Sequence, residues 1–254
     1  MKLLFFLLGC CLVPLAQVSG MQNAQGTALN PAVPTVTFDS IWQSANPQEY
    51  VITTRSDGIS TYLSRNPLGR IQAEEEGAGK IDKRWQDEET PATPEPKSSQ
   101  DNDPDYHVEF TMSQATAQRI FKDAEKANYF NGSFDYTRHQ VASTGRKTLT
   151  YADPIRHFQT TFDYSENNAV EDLAKLFLAI SNTIEYGRKL EFKHKYDKLG
   201  LEGDLKVMED AMENHNLAEL QVIAPALQSI ADDTSVMNIA RQRAKRLLKK
   251  AGGK

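Results

Sequence analysis

The stretch from Tyr106 to Gly187 constrains the fold most, because the spacing of its apolar residues switches between about two and about 3.6. Tyr106–Met112 alternates apolar and polar side chains, which is the pattern of a strand with one buried face. Ser113 is a favourable N-cap, and after it apolar residues recur every three or four positions. This spacing predicts a helix that ends near Asn131-Gly132, where the glycine tolerates the left-handed conformation that stops a helix.

The second half of this stretch predicts two more strands and a long helix. Lys147–Tyr151 and Arg156–Tyr164 alternate as strands do, and Asp153-Pro154 between them is typical of a turn. After Asn168 the spacing becomes that of a helix, which we expect to bend at Gly187 because glycine weakens a helix interior. The apolar stripe of this helix comprises Val170, Leu173, Leu176, Phe177, Ile180 and Ile184.

The region before this stretch predicts a hairpin in the same sheet. Glu49–Arg55 and Ile59–Ser64 are rich in β-branched and aromatic residues, and Ser56-Asp57-Gly58 between them is a strong hairpin signal. We therefore predict an α+β fold, with helices on one face of an antiparallel sheet, followed by a C-terminal α-helical segment. The predicted boundaries are 35–187 for the α+β domain and 188–254 for the helical segment.

The C-terminal segment predicts three further helices, the second of which spans Leu217–Ala231 and should be kinked by Pro225. From Val222 onward the pattern resembles one unit of a HEAT-type helical repeat. The shared features are a proline in the first helix, an Asp pair at the corner, and an Arg and an Ala in the second helix. The residues are Pro225, Asp232, Asp233, Arg241 and Ala244. Because repeat units are stable only when several stack, this resemblance implies a helical hairpin rather than a solenoid.

The order of strands and helices is similar to that of small secreted bacterial α+β domains of unknown function. The similarity covers Glu49–Ser64 and Tyr106–Gly187. It implies a fold and an exported location. It implies no activity.

The first 20 residues have the pattern of a secretory signal peptide. Lys2 is followed by the apolar run Leu3–Val13 and then by small residues around Val18-Ser19-Gly20. The run is shorter than the roughly 20 apolar residues that span a bilayer, and no later run is long enough. We therefore predict a signal peptide at 1–20, a secreted or periplasmic location, and no transmembrane helix in the mature chain.

The two cysteines, Cys10 and Cys11, both lie inside the predicted signal peptide. A mature chain without thiols would exclude disulfides, cysteine nucleophiles and thiolate metal sites. The four residues that end at Cys10 also resemble a bacterial lipoprotein cleavage site, with Leu8 where a small residue is usual. Lipid attachment at Cys10 is the alternative to a soluble product.

Two segments are too polar to contribute to a core. Residues 21–34 predict a flexible leader. Residues 87–105 hold seven acidic residues and four prolines, so we expect a disordered insert in the sheet domain. The formal net charge of −5 gives no reason to expect a nucleic-acid partner.

The sequence contains none of the common hydrolase, metalloprotease or nucleotide-binding motifs, and we expect no cofactor. One group of polar residues lies on the outward faces of two predicted strands: His107, Glu109, His157 and Asp163. If the strands paired suitably, these side chains would form a metal or acid–base site. The alternative interpretation is the ordinary wet face of an antiparallel sheet.

The last predicted helix is the strongest candidate for a binding surface. Its basic residues, with no acidic residue among them, are Arg241, Arg243, Lys245, Arg246, Lys249 and Lys250. They suit the negative end of the helix dipole, and they also suit an envelope protein or another anionic surface. We therefore expect a secreted, non-catalytic binding protein. The alternative function is a secreted metal-assisted hydrolase that uses the His/Glu/Asp group on the sheet.

Overall fold

The computed structural model describes residues 33–65, 105–138 and 142–252. The predicted signal peptide at 1–20, the lipid-attachment alternative at Cys10 and nearly all of the leader at 21–34 lie outside the described residues. The same is true of the predicted acidic insert at 87–105, of which only Asp105 is described.

Within these described ranges six strands form one sheet in the order β4-β3-β2-β1-β5-β6. They are β1 (Thr35–Ile41), β2 (Glu49–Arg55), β3 (Ile59–Arg65), β4 (Tyr106–Thr111), β5 (Arg146–Ala152) and β6 (His157–Phe162). Every neighbouring pair is antiparallel, which confirms the predicted sheet. The predicted hairpin is the β2–β3 pair, and its turn places Gly58 at a φ of 88°, which favours glycine.

Among the described residues, five helices accompany the sheet, and two 3₁₀ turns lie at Asn128–Phe130 and Leu220–Ile223. The helices are α1 (Gln114–Lys126), α2 (Asn168–Tyr196), α3 (Leu201–Glu213), α4 (Ala224–Asp232) and α5 (Asn238–Ala251). Helices α1 and α2 cover the apolar face of the sheet, where the Phe38 and Phe177 rings stack with centroids 5.1 Å apart. The α+β class with a C-terminal helical segment is therefore confirmed.

A second apolar core lies among the C-terminal helices. It contains Leu201, Leu205 and Met208 from α3, together with apolar residues of α4 and α5. Helix α2 joins the two cores, because residues up to Ile184 pack against the sheet and Leu190 packs in the second core. A single 29-residue helix thus holds the sheet and the helical segment together.

Gly187 lies within α2 at a point where the second 3₁₀ turn packs closely against the helix. A Cβ atom there would lie 2.2 Å from Cγ2 of Ile223, which belongs to the second 3₁₀ turn. The helix continues through this position from Asn168 to Tyr196. Glycine is therefore needed here for close packing, a role that the predicted bend did not anticipate.

Two predicted helix boundaries are wrong. Helix α1 ends at Lys126 rather than near Asn131-Gly132, because Asn128–Phe130 all have positive φ and end it early. The predicted helix Leu217–Ala231 is instead the 3₁₀ turn followed by α4, with Pro225 in the first turn of α4. Proline is well tolerated there because its missing N–H has no partner within the helix. Helices α4 and α5 pack on each other, while the HEAT resemblance stays a prediction.

Candidate functional site

The structure separates the predicted His/Glu/Asp group. His107 and Glu109 lie on β4, whereas His157 lies on β6, at the opposite edge of the sheet. Five strand spacings of about 4.8 Å put these edges roughly 24 Å apart. Asp163 follows β6 and accepts a hydrogen bond from the backbone N–H of Thr144 at 2.8 Å. The predicted convergence is therefore wrong, and within residues 33–65, 105–138 and 142–252 no three His, Cys, Asp or Glu side chains could hold a metal.

The basic residues of α5 divide into two groups. Arg243 forms ion pairs with Glu202 and Glu209 of α3, and Arg246 pairs with Glu209 at 2.7 Å. Burial tends to raise the pKa of Glu209, but hydrogen bonds from Arg246 and Arg243 outweigh it and lower the pKa. These two arginines therefore tie α5 to α3, and the Arg246 side chain is still exposed.

The other basic residues of α5 remain at the surface. Lys245, Lys249 and Lys250 are exposed, while Arg241 is half-buried. Of the six predicted residues, Lys245, Lys249 and Lys250 are thus exposed without an ion pair among the described residues, and the predicted binding surface stays a prediction.

The β4 edge of the sheet is the least covered part of its apolar face. Tyr106, Val108 and Phe110 point to the same side as the core residues of β3, yet they are only half-buried. By contrast, Tyr62 on β3 and Ile52 on β2 are fully buried. The helical layer therefore stops short of β4 and leaves a groove beside it.

We call this concavity the edge groove. It lies between β4, the second half of α2 and the start of α4, and its volume is about 110 Å³. Since a water molecule takes about 30 Å³ of the liquid, this is room for roughly one apolar side chain. The residues that line it are Tyr106, Val108, Ile184, Gly187, Arg188, Glu191, Val222, Ile223, Pro225 and Ala226.

Alternate backbone N–H and C=O groups of β4, beside the edge groove, are not used in its pairing with β3. Met112 donates its N–H to the Gly58 carbonyl at 2.9 Å, so alternate residues before it also point towards β3. The backbone N–H and C=O groups of His107 and Glu109 consequently point to the open side. No strand in the described ranges pairs with β4 on that side.

The Glu219 carboxylate makes a tertiary contact that fixes the side of the edge groove lined by Val222 and Ile223. Glu219, just before the second 3₁₀ turn, accepts from the Ser113 backbone N–H at 2.6 Å and from the Ser113 hydroxyl at 2.8 Å. Ser113 is also the N-cap of α1, as predicted, and its hydroxyl accepts from the Thr116 N–H. The turn that carries Val222 and Ile223 is thereby tied to the chain as it leaves β4.

Arg188 lies over the inner face of β4. Its guanidinium carbon lies 4.4 Å from the centre of the Tyr106 ring. Burial raises the pKa of Tyr106 to about 12, and Glu191 and Glu185 add to this, while Arg188 lowers it. At neutral pH the groove therefore holds a neutral phenol and a permanently charged guanidinium.

Helix α2 is fixed against β3 by a buried hydrogen-bond network. Glu185 accepts from the Tyr62 hydroxyl and from the Ser64 hydroxyl, both at 2.7 Å. The Tyr62 oxygen also lies 3.1 Å from the Ser181 hydroxyl oxygen. Burial, followed by the Glu185 charge, raises the pKa of Tyr62 well above its ordinary value, so Tyr62 stays a donor.

A second concavity, the polar cleft, lies on another side of α2. Its volume is about 370 Å³, and its lining includes three asparagines, a carboxylate and an ammonium group. The ammonium, from Lys189, pairs with Asp204 at 3.1 Å. The residues that line the cleft are Asn46, Asn182, Glu185, Tyr186, Lys189, Ala211 and Asn216.

Sequence reasoning missed both concavities, although the spacing along α2 contains a signal for each. Ile184, Gly187, Arg188 and Glu191 are spaced as i, i+3, i+4 and i+7 and line the edge groove. The residues of α2 that line the polar cleft have the same spacing, and they are Asn182, Glu185, Tyr186 and Lys189. Such spacing places each set on one helix face. Where polar residues interrupt the apolar pattern of a helix in this way, they indicate a helix face that is neither packed in a core nor fully exposed to solvent.

No family model matches this chain, and no curated protein matches it. The resemblances to secreted bacterial α+β domains and to a HEAT unit therefore remain predictions. Across the described ranges, none of the helices has the length and apolar character needed to cross a membrane.

Proposed function

We propose that this protein is a non-catalytic binding protein that receives an extended segment of a partner polypeptide along β4. The observation that carries the proposal is that, among the described residues, no strand pairs with the outer edge of β4, which lies beside the edge groove. An extended peptide that adds a strand gains affinity from backbone hydrogen bonds and specificity from pockets for alternate side chains. The edge groove offers such a pocket next to the open edge.

The contrast between the two sheet edges supports this proposal. At the β6 edge, the Asp135 carboxylate accepts from the Asp163 N–H at 2.9 Å, and the Tyr136 N–H donates to the Tyr164 carbonyl at 2.8 Å. That edge is therefore partly covered by its own chain. Open edges invite pairing with other chains, and folds usually protect them. An edge left open beside an apolar groove favours a binding role.

The proposed location and class of the partner rest on the sequence alone. The signal-peptide pattern favours an exported protein, so we propose a component of the cell envelope as the partner. The exposed Lys245, Lys249 and Lys250 offer a second contact for an anionic surface. The metal-assisted hydrolase is not proposed, because its residues lie at opposite edges of the sheet.

The test uses two substitutions at one position of β4. In Glu109→Pro the outward-facing N–H is lost, whereas Glu109→Ala keeps it. Proline is tolerated on an edge strand when its N–H side faces outward, so both variants should fold. A displayed library of linear seven-residue peptides would first be selected for binding to the full wild-type chain. The selected peptides should bind both the wild type and the alanine variant. Their affinity for the proline variant should fall at least about tenfold, because a lost ladder hydrogen bond and a steric clash combine.

Circular dichroism and thermal unfolding would confirm that both Glu109 variants are folded. Peptides that bind the proline variant as well as the alanine variant would contradict strand addition. A library that yields no binder to the wild type would contradict the proposed function altogether.

A further inference from the structure

We infer that Arg188 recognises a carboxylate on the bound strand, so that partner segments carry an acidic side chain two residues from an apolar one. This inference rests on the proposed strand addition along β4. It adds the chemical class of the partner and names the residue that selects it.

Among the described residues, the guanidinium of Arg188 is incompletely hydrogen-bonded. Its Nη1 atom is buried and has no hydrogen-bond acceptor within the described parts of the chain. None of the ion pairs found among those residues involves Arg188, although most other arginines of the fold are paired. A buried charged donor without an acceptor is costly, and an arriving carboxylate would relieve that cost.

The guanidinium of Arg188 is held in place by an aromatic ring. Its guanidinium lies over the Tyr106 ring at 4.4 Å, and Tyr106 is itself part of β4. Stacking on an aromatic ring restricts the guanidinium plane and uses its face rather than its N–H edge. That edge presents two parallel N–H groups, which match the two oxygens of a carboxylate. A lysine at this position would keep the charge and lose this fork.

The spacing of residues along α2 is close to the spacing of same-face residues along a strand. Ile184 and Arg188 are four residues apart on α2, which corresponds to a rise of about 6 Å. Side chains on one face of a strand recur every two residues, or about 6.8 Å. A strand that places an apolar side chain beside Ile184 therefore brings the side chain two residues away close to Arg188.

The neighbouring acidic groups sharpen the inference. Glu185 already accepts hydrogen bonds from Tyr62 and Ser64, so it is engaged in the fold. Glu191 is exposed and lines the same groove one helical turn from Arg188. Its charge would repel the carboxylate of a partner. Removing that charge should therefore act in the opposite direction from removing the Arg188 charge.

The experiment compares two fluorescent seven-residue peptides in which valine and threonine alternate. They differ only at one groove-facing position, which is glutamate in one and glutamine in the other. Fluorescence anisotropy with the full wild-type chain should show at least about tenfold tighter binding of the glutamate peptide. Arg188→Gln should make the two affinities equal, and Arg188→Lys should leave a smaller preference. Glu191→Gln should strengthen binding of the glutamate peptide.

The outcomes separate the two proposals. If both peptides bind equally well to the wild type and Glu109→Pro still weakens both, strand addition stands and the carboxylate inference is wrong. If neither peptide binds the wild type, both proposals are wrong for this site. If the chain forms dimers that Glu109→Pro abolishes, the occupant is a second copy of the chain, which overturns the inference.

Discussion

The two halves of α2 differ sharply in what surrounds them. In the first half, Val170, Leu173, Phe177 and Ile180 are fully buried beneath the sheet. In the second half, residues from Asn182 onward line the edge groove on one side and the polar cleft on another. The same regular helix thus serves as a core element and then as the wall between two concavities. The difference teaches that a helix gains a functional face where its neighbours leave it incompletely covered.

The two concavities differ in how well their charges are paired. In the polar cleft, Glu185 accepts two hydrogen bonds and Lys189 is paired with Asp204. In the edge groove, Nη1 of Arg188 has no acceptor within the described residues. The larger concavity is therefore electrostatically satisfied, while the smaller one is not. This difference, rather than volume, makes the edge groove the stronger candidate for a partner.

Truncation of Phe177 should have the largest effect, because it removes the central contact of the first half of α2. Phe177 is fully buried and stacks on Phe38, so Phe177→Ala should lower the free energy of unfolding by about 3–5 kcal/mol. Leu178→Ala, at the exposed neighbouring position, is the matched control and should cost well under about 1 kcal/mol. Urea-induced unfolding measures both. Similar losses for the two variants would show that this half of α2 is not packed as described.

A methyl group at Gly187 should have an intermediate effect, centred on the second half of α2. The added Cβ would meet Ile223 at 2.2 Å, so Gly187→Ala should destabilise the protein by about 1–3 kcal/mol despite the better helix propensity of alanine. It should also weaken peptide binding, because Val222 and Ile223 line the edge groove.

Gly203→Ala provides the control for Gly187→Ala. Gly203 lies in α3, and a Cβ there would meet nothing within 4 Å. This variant should therefore stabilise the protein by up to about 1 kcal/mol. Thermal unfolding of both variants gives the comparison, and a stabilising Gly187→Ala would show that the close approach to Ile223 is absent.

A change at the β5–β6 turn should have the smallest effect on stability, and it should not alter the edge groove or the polar cleft. Burial alone would raise the pKa of Asp153, but hydrogen bonds from the Ile155 N–H and from Arg156 outweigh it and lower the pKa to about 2. The folded pKa is thus below the unfolded value of about 3.9. Asp153 therefore stabilises the fold above about pH 4, and this contribution is lost as the pH falls towards 2.

Asp153→Asn should consequently reduce the dependence of stability on pH between about 4 and 2. Urea unfolding at a series of pH values measures this slope for the variant and the wild type. Peptide affinity at neutral pH should stay unchanged, because the turn lies at the opposite end of the sheet from β4. Equal slopes, or a loss of peptide binding, would contradict this account of the turn.

Local patterns predicted the elements of this fold well and its site poorly. The alternation in Tyr106–Met112 and the stripe from Val170 to Ile184 correctly indicated which side chains face the core. The same alternation put His107 and His157 on polar strand faces, but it could not tell which strands are neighbours. The basic run of α5 was equally visible, yet two of its arginines are paired with Glu202 and Glu209 of another helix.

What the sequence by itself determined is the type of most elements and the face that each turns to the core. Both follow from the geometry of a few consecutive residues, as in the turns at Asp57-Gly58 and Asp153-Pro154. The tertiary structure alone decided the strand order, which places β4 at an edge, and the approach of Ile223 to Gly187, which shapes the edge groove. These features depend on contacts between residues far apart in the chain, and no local spacing encodes such contacts.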